Sequence, residues 1–149
     1  MAQMPLTKLI IRQGYATLPQ VTKLLQMQPN IRHLELRSLI SAWNLDQLTE
    51  KDLPKLETFA GSPRSVKLLV PGRPVHSVSI DALKIDTRQQ DKIGEHLWVE
   101  LSRSSATVSQ LILSPFDFDL YQEFQRAAFY LPKVRHLRLR ARRKLNRDD

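Results

Sequence analysis

One apolar code recurs along the chain. A triplet of form h-x-x-h-x-h, with h apolar, aligns six times: Leu6/Leu9/Ile11, Ile31/Leu34/Leu36, Leu56/Phe59/Gly61, Val75/Val78/Ile80, Val108/Leu111/Leu113 and Val134/Leu137/Leu139, a glycine standing last in the third copy. The last two positions of each triplet are two residues apart, which places them on one face of a strand and the intervening residue on the other. First positions are separated by 25, 25, 19, 33 and 26 residues. That is the period of a strand-plus-helix unit that cannot bury its apolar face alone and must stack on its neighbours.

Punctuation supports the same division. Pro5, Pro29, Pro54, Pro74 and Pro132 stand one or two residues before five of the six triplets, where proline ends a helix and opens an extended segment. Helix starts follow: Thr17-x-x-Gln20, Asp86-x-x-Gln89 and Asp119-x-x-Gln122 have capping-box form, and Ser62-Pro63 sets an N-cap before a proline at the first helical position. Three- and four-residue spacing then gives apolar stripes of Leu18, Val21, Leu24 and Leu25; of Ile93, Leu97 and Leu101; and of Tyr121, Phe124, Ala128 and Leu131. Weaker helices are expected over 46–53 and 65–70. The expected fold is α/β: short parallel strands on a concave face, helices on the convex face, and about six irregular repeats.

These residues resemble leucine-rich repeats, over about Leu6 to Ala141, and the segment LPKLETFAGSPRSVKLLVPGRPVHSVSI, Leu53 to Ile80, resembles the degenerate repeats of fungal F-box-like proteins. The resemblance implies a target-capturing array within a ubiquitin-ligase receptor, with ligase components as partners. No F-box-like helical segment precedes Leu6. The position three after each triplet, where typical repeats place Asn or Cys, holds Gly14, Leu39, Arg64, Leu83, Phe116 and Arg142, so no asparagine ladder is expected. Neither end carries an obvious cap, as would a fragment of a longer array.

The 149 residues suit one domain, drawn at 1–141 with a basic tail at 142–149. No apolar run approaches the roughly 20 residues of a membrane helix, and MAQMPLTKLI lacks the basic start and apolar core of a signal peptide. A cytoplasmic or nuclear location and no membrane partner are therefore expected. With no cysteine there is no disulfide, thiolate metal site or cysteine nucleophile. The net charge of +8 is unevenly placed, because 135–149 holds seven basic and two acidic residues. This stretch has two readings: a nucleic-acid-binding or import segment carried by Arg138, Arg140, Arg142, Arg143, Lys144 and Arg147, or a half-buried strand showing its charges to water.

Candidate chemistry is sparse, and neither a cofactor nor an enzymatic activity is expected. The four glycines form no phosphate loop or dinucleotide fingerprint. His96 and Glu100 are an i,i+4 pair without a third ligand, and Asp117, Asp119 and Glu123 lack the glycine and spacing of a calcium loop. No G-x-S-x-G marks a nucleophile. Trp43 and Trp98 suit core packing or an interface anchor, and LLVPGRP, Leu68 to Pro74, reads as a helix exit and turn.

Strand alternation maps a binding face for a protein partner of unknown identity. The rows are Lys8/Ile10/Arg12, His33/Glu35/Arg37, Thr58/Ala60/Ser62, Ser77/Ser79/Asp81, Gln110/Ile112/Ser114 and His136/Arg138/Arg140. Both flanks are basic and the centre is small and nearly neutral, which suits a partner with an acidic periphery.

Overall fold

A computed structural model describes residues 5–12, 18–37, 45–81, 97–113 and 120–140. In chain order they form β1 (Lys8–Ile11), α1 (Leu18–Gln26), β2 (His33–Leu36), a 3-10 turn (Leu45–Gln47), β3 (Thr58–Gly61), α2 (Pro63–Leu69), β4 (Ser77–Ile80), α3 (residues 97–102), β5 (Gln110–Leu113), α4 (Leu120–Tyr130) and β6 (His136–Leu139). The six strands make one sheet in the order β1-β2-β3-β4-β5-β6, and every neighbouring pair is parallel. This is the α/β repeat architecture expected of a leucine-rich-repeat-like solenoid.

The register matches the triplet alignment residue for residue. Leu9, Leu34, Phe59, Val78, Leu111 and Leu137 are successive partners, as are Ile11, Leu36, Gly61, Ile80, Leu113 and Leu139. The first triplet positions Ile31, Leu56, Val75 and Val108 are buried beside them. Val21 and Leu25 of α1, Val66 and Leu69 of α2, Leu97, Trp98 and Leu101 of α3, and Ala127 with Leu131 at the end of α4 close the core over this face.

The prolines act through turns. Ile31 N–H donates to Gln28 O (3.4 Å), Leu56 N–H to Leu53 O (3.2 Å) and Val134 N–H to Leu131 O (3.2 Å), so Pro29, Pro54 and Pro132 each occupy the second position of a β-turn. Val75 N–H donates to Arg73 O (2.8 Å), closing a tighter turn around Pro74. At each junction one carbonyl then accepts from two successive N–H groups of the next repeat. Thr7 O takes those of Arg32 and His33, Arg32 O those of Glu57 and Thr58, Glu57 O those of His76 and Ser77, His76 O those of Ser109 and Gln110, and Ser109 O those of Arg135 and His136. This backbone ladder fixes the register at the strand entrances without side-chain amides.

Gly61 replaces an apolar side chain because α2 begins immediately above it. A Cβ there would lie 2.7 Å from Ser65 Oγ and 2.9 Å from the Phe59 ring. Ser62 caps the helix, its Oγ accepting from Ser65 N–H (3.3 Å), and Pro63 starts it.

Two expectations are corrected. Residues 46–53 are not a helix: after the 3-10 turn, the Asp52 carboxylate accepts from Thr49 N–H (2.8 Å), and Leu53 adopts a φ of 56°, which no right-handed helix continues. Among the described side chains of α4 Ala127 is buried, as is Leu131 just past its end, whereas Phe124 and Ala128 are exposed. Ala128 is rotated about 100° around the helix from Ala127, and Phe124 is 56% exposed. The capping motifs at Thr17, Asp86 and Asp119, together with Ile93, lie outside the described residues, as does the 142–149 tail.

Candidate functional site

The helix-free side of the sheet carries three side-chain rows, as strand alternation dictates. One runs Lys8, His33, Thr58, Ser77, Gln110, His136, and the next Ile10, Glu35, Ala60, Ser79, Ile112, Arg138. The third, just past the strand ends, holds Arg12, Arg37, Ser62, Asp81 and Arg140. It stays attached to the ladder because Arg37 N–H donates to Ile11 O, Asp81 N–H to Gly61 O and Arg140 N–H to Leu113 O, each at 2.9 Å. Of the eighteen residues mapped to this face from the sequence, seventeen fall in these rows, and Ser114 lies outside the described residues. Of the alternative nucleic-acid-binding set, Arg138 is on β6 and Arg140 just past its end, and Arg142, Arg143, Lys144 and Arg147 fall outside the described residues.

What sequence spacing did not show is how these charges are paired. Glu35, with 13% of its side chain exposed, is the hub. It accepts from Arg37 Nε at 3.1 Å, sits 3.2 Å from His33 Nε2 and lies 4.0 Å from Arg12 Nη2. Burial works to raise the Glu35 carboxyl, but the hydrogen bonds from His33 and Arg37 and the nearby positive charge outweigh it and hold the group below its ordinary value. Arg37 also reaches Asp81 on the far side of β3, Nη1 to Oδ2 at 3.8 Å. That reach is open because β3 presents only Ala60 and Ser62 beneath it. Ser77 Oγ donates to Gln110 Oε1 (3.0 Å), tying the central rows of β4 and β5.

The two basic flanks consequently differ. On the β1–β2 side Arg12 and Arg37 are matched by Glu35 and Asp81, leaving Lys8 as the cation without an ion pair among the described residues. On the β6 side Lys133, Arg135, His136, Arg138 and Arg140 are all exposed, and none makes an ion pair among the described residues. Leu137, at 36% exposure, is the most open of the inward row.

One further residue escaped the sequence reading. Arg73, 1% exposed, stands in the loop before β4 and extends its guanidinium to the loop before β3 and the end of α2. Nη2 donates to Thr49 O (2.6 Å), Nε to Asp52 O (2.9 Å) and Nη1 to Leu69 O (3.1 Å), while its own carbonyl accepts from Ser104 Oγ (2.9 Å) and Ser105 N–H (2.9 Å). Burial pushes its pKa down, and the charges of Asp52 and Glu50 work against that shift. It binds three repeats together from behind the face. The signal available in sequence was a basic residue just past a helix end, where orphan carbonyls collect.

The remaining candidates resolve simply. Trp98 is buried in the core, and Glu100 pairs with Arg103 at 3.0 Å. LLVPGRP is the end of α2 and a turn, with Gly72 at a φ of 75°. His96, Trp43, Asp117 and Asp119, and the side chain of Glu123, lie outside the described residues. Among the described residues no three His, Asp or Glu side chains gather as metal ligands, and no helix is long and apolar enough to cross a membrane. Comparison with protein-family models, curated proteins and solved structures gave no match.

Proposed function

We propose that this chain is a noncatalytic recognition module that binds a protein partner across the open face of its sheet. The observation that carries the reading is the Glu35-centred arrangement: Arg12, His33 and Arg37 are held on one carboxylate and Arg37 is anchored again at Asp81. Side chains fixed before binding lose little entropy when a partner docks. Small neighbours at Ala60 and Ser79 leave room for a modest protrusion from that partner. The finer reading, a target-capturing array of a ubiquitin-ligase receptor acting inside the cell, rests on the resemblance of Leu53 to Ile80 to fungal F-box-like repeats. Pull-down of an F-box adaptor with the full chain tests it.

Affinity capture from the source cell, quantified by mass spectrometry for wild type and for Ser79→Arg, tests the face itself. Ser79 is half-buried at the centre of the sheet, and an arginine there obstructs the surface without touching the core. The proposal expects a wild-type partner that the variant loses. A second reading, nucleic-acid binding, has one observation in its favour: residues 124–147 contain nine Lys or Arg and no Asp or Glu. Binding that falls steeply with salt and vanishes on deleting 142–149 would favour that reading.

A further inference from the structure

We propose that the β6 flank is the anion-recognising end of the open face and engages an acidic, extended segment of the partner protein; this rests on the protein-binding reading above. The face contains a charge asymmetry that net charge conceals. Arg12, Arg37 and Arg32 have carboxylate neighbours in Glu35, Asp81 and Glu57, so the β1–β3 end offers little free positive potential. Past Asp81, the open-face rows continue with Gln110 and Ile112 and then His136, Arg138 and Arg140.

Distance keeps the two ends separate. Strands are about 4.8 Å apart, so Glu35 on β2 lies roughly 19 Å from β6, beyond the screening length of about 8 Å at physiological salt. Asp81, two strands from β6, is already engaged by Arg37. The β6 cations thus face water with their charge uncompensated by any described carboxylate.

Geometry then selects among anions. Arg138 on β6 and Arg140 just past its end, where the ladder continues through Arg140 N–H to Leu113 O, occupy alternate positions about 7 Å apart, the spacing of alternate side chains in an extended peptide. Guanidinium groups take carboxylates through paired hydrogen bonds. Ile112, the register partner of Arg138, supplies an apolar contact beside the charge. Single-stranded nucleic acid would want broad aromatic platforms for its bases, and none of the open-face rows of β1 to β6 carries a Phe, Tyr or Trp. An acidic peptide is the better match.

The test uses the full chain and a fluorescein-labelled decaglutamate peptide, with binding read by fluorescence anisotropy at low salt. Wild type is expected to bind it and not decaglutamine. Arg138→Glu with Arg140→Glu should weaken binding at least about tenfold, since two attractions become repulsions at contact range, whereas Lys23→Glu, an exposed charge reversal on α1 away from the open face, should change it less than about twofold. The milder pair Arg138→Gln with Arg140→Gln serves if the reversal fails to fold, as judged by circular dichroism. Equal loss with Lys23→Glu, no loss with either β6 pair, or no preference over decaglutamine would overturn the proposal. Tighter binding of a twenty-residue oligothymidylate through the same arginines would overturn it in favour of nucleic acid. If Ser79→Arg abolishes partner capture while the β6 pair preserves it, the flank assignment fails and the binding face stands. If capture survives Ser79→Arg, the face itself is wrong.

Discussion

Replacing Arg73 by Met keeps most of the side-chain volume and removes only the guanidinium, so it asks whether that buried charge holds the repeats together. Exchanging a buried ionic group for an apolar one is often neutral or stabilising, because desolvation no longer opposes folding. Here the outcome should differ. The partners of Arg73 are the carbonyls of Thr49, Asp52 and Leu69, which a mutation elsewhere cannot convert to apolar groups. Each orphaned buried carbonyl costs about 1–3 kcal/mol. Leu69 is fully buried, whereas Thr49 is exposed and Asp52 half-buried, so water can recover part of the loss at the latter two. With relief of the desolvation penalty subtracted, the net cost is about 2–4 kcal/mol, equivalent to a fall in Tm of roughly 5–15 °C for a domain of this size. Denaturant unfolding followed by the fluorescence of tryptophan, Trp98 being a core residue, measures it directly. Arg73→Lys should fall between wild type and Met, because an ammonium cannot span carbonyls on both sides as a planar fork does. Wild-type stability in Arg73→Met, within about 0.5 kcal/mol, would refute the clamp.

Glu35→Gln should cost about 1–2 kcal/mol at pH 7 through loss of its charged hydrogen bonds. Because the folded carboxyl is held below its ordinary value, its stabilisation is fully present above the unfolded pKa and lost as pH falls through the folded one. The difference between wild type and Glu35→Gln should therefore shrink on acidification, and a constant difference would exclude the linkage. Gly61→Ala should destabilise by about 1–3 kcal/mol through its clash with Ser65 and Phe59; unchanged thermal unfolding would mean that α2 shifts freely. Leu34→Ala, at a fully buried centre of the sheet, should cost about 2–5 kcal/mol in the same measurement.

The repeat was legible because its signal is local and periodic. Leu34, Phe59, Val78 and Leu111 announce themselves by two-residue alternation, and Pro29, Pro54 and Pro132 mark the turns that precede them. What stayed hidden depends on contacts between repeats. Nothing near Arg73 in the chain shows that Thr49 and Asp52 will point their carbonyls at it. The pairing of Arg37 with Asp81 needs both the register of three strands and the small residues of β3. Phe124 misled because its spacing from Leu131 is helical, yet its side chain is exposed, and burial on a helix face is decided by tertiary packing that spacing alone does not carry. The 46–53 segment failed for a local reason instead: Asp52 satisfies Thr49 and competes with the helix. Which residues line the open face was readable from strand alternation, while the pairing of their charges required the structure.

The most direct test of the central claim is the equilibrium affinity of the captured partner for wild type, for Ser79→Arg on the open face and for Phe129→Ser on the helical side, where Phe129 is 77% exposed. Binding through the sheet predicts at least about a tenfold loss for Ser79→Arg, in line with the loss of a central contact, and little change for Phe129→Ser. Unaltered affinity in Ser79→Arg together with loss in Phe129→Ser would contradict it and move the interface to the helices.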